Sequence, residues 1–216
     1  MDSQLLAFTL AALVVTISPG PDTFLVIGNT VKGGARHGLA TVAGIVSGGL
    51  CHAALFGFGI AQVLAYSPTV FTVVKLCGAA YLVYLGMGAL RSAFRQRAPV
   101  PGTIRSPPGG NASASPVRWR SAWVQGALSN ALNPKVAVFY LAFLPQFMSP
   151  GDPIAAKSMF LIGIHCVLGL LWLSAVVLAF ARLGAWLHRG AVRRVLDGVV
   201  GTVMTAFGAK LAVDRG

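Results

Sequence analysis

Six long apolar stretches alternate with short polar ones along the chain, at 5–31, 39–65, 69–90, 122–147, 159–183 and 195–212. About 20 apolar residues, rising 1.5 Å each, cross the roughly 30 Å of hydrocarbon in a bilayer. The stretches therefore predict six transmembrane helices and an all-α integral membrane fold. Barrel strands would be about half as long and would alternate in polarity. Between the third and fourth stretches the pattern changes. Residues 98–118 are rich in Pro, Gly, Ser and Ala and have no hydrophobic period. That composition predicts a flexible linker. It divides the chain into a first three-helix unit at 1–97 and a second at 119–216.

Two of the apolar stretches contain breaks. Ser18-Pro19-Gly20-Pro21-Asp22 interrupts the first, and Asn133-Pro134-Lys135 interrupts the fourth. Proline removes a backbone donor and orphans the carbonyl one turn earlier. Such groups cannot face lipid, but they can line a cavity. The first and fourth helices are expected to be broken at Pro19, Pro21 and Pro134. Three spans per half is an odd number, so two related halves must be inverted relative to each other. The third spans correspond as well, since Lys75 precedes Gly86 by eleven residues and Asp197 precedes Gly208 by eleven. The embedded charges are then swapped, Asp22 and Lys75 in one half against Lys135 and Asp197 in the other. Each costs about 2.5–3.5 kcal/mol at mid-membrane, so pairing or wetting in a cavity is expected. Charges beside broken helices mark a substrate or ion path in transporters built from repeats.

Composition agrees with a membrane protein. Of the 216 residues 56% are hydrophobic and only 10% charged, mean hydropathy is +0.74, and glutamate is absent. A soluble domain carries about 25% charged residues. The N-terminus, Met1-Asp2-Ser3-Gln4, lacks the positive stretch of a signal peptide, so the first span is expected to be retained. The net charge of +12 does not imply nucleic acid, because the basic residues cluster in short segments between spans. Twelve lie on the linker's side of the six-span topology and three, Lys157, Lys210 and Arg215, on the other. The bias predicts a cytoplasmic linker with both termini periplasmic.

Other chemistries find little support. Cys51-His52 and His165-Cys166 fall in corresponding spans and suit a transition metal by ligand type. Adjacent residues on a helix point about 100° apart, however, so both members of a pair rarely bind one ion. Packing thiols and hydrogen-bonded imidazoles are the plainer account, and no metal site or cofactor is expected. No nucleophile–base motif or phosphate loop occurs, so no enzymatic activity is expected. Gly44, Gly48, Gly49, Gly57, Gly59, Gly78, Gly86 and Gly88 offer faces for close helix approach, within the chain or in a homodimer.

Three motifs in order resemble those of the lysine exporter superfamily, in particular the LysE/RhtB-type amino-acid exporters. They are Ser18-Pro19-Gly20-Pro21-Asp22, Lys75-x-x-Gly78-Ala79-Ala80-Tyr81-Leu82 with Tyr84-Leu85-Gly86, and Asn130-x-x-Asn133-Pro134-Lys135 running on to Phe143-x-Pro145-Gln146-Phe147. The resemblance implies six helices, a bacterial inner membrane, and efflux of amino acids or close derivatives driven by the proton gradient. A metal-ion exporter of the same superfamily is the alternative. The expected binding site lies between the two broken helices. Asp22 and Lys135 would anchor the ammonium and carboxylate of a zwitterion. Ser18, Asn130 and Asn133 would supply neutral donors and acceptors, and Gly20 would allow close backbone approach. Asp22, Lys75 and Asp197 are the candidates for proton and charge coupling. The scarcity of acids favours a neutral amino acid over a cationic one.

Overall fold

A computed structural model describes residues 2–57, 68–95, 119–149, 151–183 and 190–213. The linker at 98–118 and residues 58–65 of the expected second span lie outside the described residues. Every regular element described is helical. The helices are α1 (Asp2–Ile17), α2 (Pro21–Gly57), α3 (Pro68–Arg95), α4 (Trp119–Ala131), α5 (Pro134–Phe143), α6 (Ile154–Arg182) and α7 (Gly190–Val213). A 3-10 turn, Leu144–Phe147, extends α5.

Four of the described helices are long and apolar enough to cross a membrane, all or part of α2, α3, α6 and α7. The pair α4 and α5, bent by 42°, makes a fifth span if counted together. The difference from six lies at the N-terminus. Pro19 and Pro21 end α1 after 16 residues, about 24 Å of helix. Residues 21–57 then form two helical arms joined by a sharp kink at Gly34. The arms fold back on each other, because Asn29 Nδ2 reaches Thr41 Oγ1 at 2.9 Å, whereas a straight helix would hold residues twelve apart about 18 Å from each other. The loop expected at 32–38 is this turn, made at Gly34, whose φ of 73° and ψ of −172° break the helical geometry. An L side chain at that φ would be strained.

Packing joins the two halves of the sequence. Helix α2 lies chiefly against α4 and α6, and α3 against α7. These approaches are close because glycines take the crossings. A Cβ on Gly44 would stand inside the Trp123 carbonyl, and one on Gly126 inside the Thr41 carbonyl. Lost side chains bring backbones together, the usual way helices adhere where no water drives association. On α3 and α7 the contacts are reciprocal. Gly86 faces Gly201 and Thr205, while Gly208 faces Ala79 and Val83. Of the glycines expected to serve close approach, Gly44, Gly48, Gly49 and Gly86 abut helices of the same chain, and Gly78 abuts Leu132 at the break between α4 and α5. Gly57 meets Ala155 at 3.7 Å, Gly88 has nothing within 4 Å, and Gly59 lies outside the described residues.

Candidate functional site

The two helix breaks face each other, and hydrogen bonds cross between them in both directions. Pro19 has no N–H to give the Val15 carbonyl, its partner in a continuous helix. Lys135 Nζ donates to that oxygen at 2.8 Å and to the Ser18 carbonyl at 2.6 Å. A cation at a helix C-terminus also meets the negative end of its dipole. Pro134 in the same way orphans the Asn130 carbonyl. His52 Nε2, 3.2 Å away, donates to it, as does the Asn133 backbone N–H at 3.0 Å. A carbonyl only accepts, so His52 carries its proton on Nε2.

Asp22 makes the opposite crossing. It stands in the first turn of α2, where the dipole favours an anion, and reaches the end of α4. Bare carbonyls there would repel a carboxylate. The sequence supplies side-chain donors instead. Ser129 Oγ donates to Oδ1 at 2.7 Å, and Asn130 Nδ2 and Asn133 Nδ2 donate to Oδ2 at 2.9 and 3.0 Å. Positions 129 and 133 share a helical face, as do 130 and 133. Asn133 Oδ1 meanwhile accepts from the Lys135 backbone N–H at 3.0 Å and caps α5. Asn133 therefore ties the acid, the break and the following helix together. All three donor residues are buried.

A cavity of about 70 Å³ lies at this junction. Ser18, Gly20, Asp22, Asn130, Asn133 and Lys135 all line it, so the structure brings the six expected binding residues together. The cavity sits between two core clusters. It shares Val136 and Tyr140 with a group containing Phe8, Phe139 and Leu144, and Ile45 and Leu173 with a group containing Val26, Val42 and Val177. On the first side the aromatic rings pack tilted or edge-on, with Phe8–Phe139 centroids 5.9 Å apart and Phe8–Phe147 5.3 Å apart.

Asp197, another charge expected to act, stands elsewhere. Asp197 is 1% exposed. It accepts from Ser92 Oγ at 2.8 Å, and its described ion-pair partner is Lys32, with Nζ 3.8 Å away. The side chain of Lys75 lies outside the described residues. Beyond the cavity, Asn29 Nδ2 donates to Thr41 Oγ1 at 2.9 Å and to Gln125 Oε1 at 3.1 Å, joining both arms of α2 to α4.

Sequence reasoning missed Ser129, Tyr140 and the capping role of His52. Ser129 had a readable signal, since Ser129-Asn130-x-x-Asn133 puts three donors around one helix end. Tyr140 had none. Its hydroxyl lies 2.9 Å from His165 Nδ1, and its ring packs edge-on against His52 at 5.6 Å and His165 at 5.5 Å. The two histidines considered as metal ligands thus flank a tyrosine, and Cys51 points outward. Among the described residues no three His, Cys, Asp or Glu side chains group to hold an ion.

An all-helical bundle with several membrane-length helices, broken on both sides of a polar cavity, defines a multi-pass membrane protein of transporter type. The chain belongs to the LysE type translocator family, whose model matches residues 13–215. It is 31% identical over 211 residues to the uncharacterized membrane protein YrhP of Bacillus subtilis, covering 98% of this chain and 99% of that protein. It is 26% identical to the homoserine/homoserine lactone efflux protein of Salmonella typhimurium, over 97% of this chain and 96% of that one. It is 27% identical to the leucine efflux protein of Klebsiella pneumoniae, over 96% and 93%. No solved structure matches significantly.

Proposed function

We propose that this translocator exports neutral amino acids or close derivatives across the bacterial inner membrane, exchanging them for protons. The observation that carries the reading is the reciprocal bracing of the two breaks around one cavity, with an acid and a base crossing in opposite directions. Relatives named for homoserine, homoserine lactone and leucine efflux support the substrate class. The cavity's polar end, Asp22, Asn130, Asn133 and Lys135, suits the backbone of an amino acid. Its apolar walls, Ile45, Val46 and Leu173, suit an uncharged side chain. Asp22 is the proton carrier in this reading, because it is the acid that lines the cavity.

The same reading divides the protein into six spans. Helix α1 and residues 21–33 form a first broken span, residues from 35 the second, and α4 with α5 the broken fourth. The break at Gly34 supports this division of α2. Inverted halves at 1–97 and 119–216 are supported by the reciprocal α3–α7 contacts. Adding 122 to Ala79 and Gly86 gives Gly201 and Gly208, so the contacts Gly86–Gly201 and Gly208–Ala79 interchange under a two-fold axis. The twelve-to-three charge bias supports periplasmic termini and a cytoplasmic linker.

The test is efflux of labelled amino acids from loaded proteoliposomes of the purified protein, across a panel of side chains and with an imposed pH gradient. Neutral amino acids are expected to leave faster than in protein-free vesicles, and faster still when protons can flow inward. Absence of efflux for every amino acid would sink the transport reading. Efflux indifferent to the pH gradient would sink the proton coupling alone.

A further inference from the structure

One oxygen of Asn130 has no hydrogen-bond partner among the described residues. Asn130 Nδ2 donates to Asp22 Oδ2 at 2.9 Å, and this bond fixes the amide's orientation, since a flip would set two acceptors against each other. Oδ1 must then point away from Asp22. It is buried and has no hydrogen-bond partner, on a residue that is 7% exposed. A buried acceptor left unpaired costs about 1–3 kcal/mol. Asn130 lines the cavity together with Gly49, Cys166 and Asp22. The Cys166 thiol fills the Gly49 face, where a Cβ would stand 2.6 Å from Sγ and 3.8 Å from the Asn130 oxygen, so the space for a ligand is the cavity itself. The Asp22 carboxylate accepts three hydrogen bonds, of about four that two carboxylate oxygens can take. One acceptor position is left there as well.

From this pair of acceptors we propose a primary-ammonium subsite formed by Asn130 Oδ1 and Asp22, which makes a free amino group an obligatory feature of the substrate. The inference rests on the amino-acid reading and narrows it. Two acceptors on one wall, one of them charged, call for a cation with more than one N–H. A primary ammonium supplies three. A hydroxyl supplies one donor and no charge, and a trimethylammonium supplies charge and no donor. An N-acetylated amine is neutral with a single N–H. The remaining described residues of the cavity wall add no second acid for a cationic side chain. Lys135 is not the primary partner of Asp22 here, because two of its three N–H groups already serve the Val15 and Ser18 carbonyls.

The experiment is competition against exchange of labelled L-leucine, and separately L-homoserine, in proteoliposomes of the full chain. The competitors are the unlabelled amino acid, its N-acetyl form and its N,N,N-trimethyl form, at constant sodium. Both capped forms are expected to compete at least tenfold more weakly than the free amine. In Asn130→Ser, whose shorter side chain withdraws the amide oxygen, that discrimination is expected to shrink. A merely structural role would weaken all competitors alike and leave the ratio unchanged. Equal competition by free and capped forms, an unchanged ratio in the variant, or exchange abolished by removing sodium would overturn the subsite while leaving amino-acid transport standing. Absence of exchange for both labelled amino acids would instead count against the transport reading, and the subsite would fall with it.

Discussion

Lys135 Nζ donates to the Val15 carbonyl at 2.8 Å, filling the position that Pro19 leaves without a donor. Lys135→Met keeps the length and apolar stem but removes both bonds to the end of α1. Unpaired carbonyls away from water cost about 1–3 kcal/mol each. The variant is expected to melt several degrees lower in mild detergent, as well as losing export. Unchanged melting would mean that water already serves these carbonyls.

Asp22→Asn separates charge from architecture. The new amide oxygen can face Asn130 Nδ2 and Asn133 Nδ2, and its NH2 can donate to Ser129 Oγ, which accepts as readily as it donates. The fold is expected to hold, with membrane insertion and melting close to the parent. Export is expected to fall at least tenfold, and its dependence on the pH gradient to vanish. Normal efflux with the parent's gradient response would remove Asp22 from the coupling step.

Lys32 and Asp197 test a contact away from the cavity. A carboxylate that is 1% exposed, 3.8 Å from a lysine that is 32% exposed, depends in part on that cation and in part on Ser92. Breaking a fully buried pair costs about 3–5 kcal/mol, and the exposure of Lys32 reduces this to about 1–3 kcal/mol. Lys32→Met is expected to destabilise, and Asp197→Asn to do so less, because the Ser92 bond survives. The comparison needs only thermal melts of the two variants, and an order reversed from this one would refute the assignment.

Gly44→Leu probes the α2–α4 crossing. Its side chain would displace the Trp123 backbone, and overpacking of this kind costs about 1–3 kcal/mol or more. Gly88→Ala, with nothing within 4 Å of the added carbon, is the control. Protease resistance of membrane-inserted protein should drop for the first and stay level for the second.

The loop before α6 sets an acid limit. The Lys157 ammonium, 2.6 Å from Asp152 Oδ2, and the Ser149 N–H together hold the Asp152 carboxyl below its ordinary value of 3.8. A depressed folded value contributes stability above the unfolded value, and that contribution is lost as pH falls through the folded one. This turn therefore stays intact at pH 5–8, and Asp152→Asn should leave any pH dependence of export in that window untouched. A shifted profile would contradict this.

The breaks were legible because proline deletes a donor whatever surrounds it, so Pro19, Pro21 and Pro134 announced unsatisfied carbonyls before any contact was known. What answers those carbonyls was not legible. Lys135 reaches Val15 across 120 positions, and His52 reaches Asn130 across 78. No local period encodes such pairings. The embedded charges were visible for their cost, yet sign alone could not choose Asp197's neighbour, since Lys32 falls in the polar stretch at 32–38 rather than inside an apolar run. The turn at 32–38 was legible as a polar stretch between two apolar runs, but not that a single residue, Gly34, would make it.

The crossing of Asp22 and Lys135 also bears on how the protein is made. Ribosomes deliver the N-terminal half first, so Asp22 enters the bilayer more than a hundred residues before Ser129, Asn130 and Asn133 exist to receive it. Until then the newborn half carries an unanswered acid and a pair of naked carbonyls at Val15 and Ser18. A fragment ending at residue 97 is thus a substrate for membrane quality control rather than a stable half-protein. Supplied from a second gene, residues 119–216 should rescue it, because what each half lacks is held by the other.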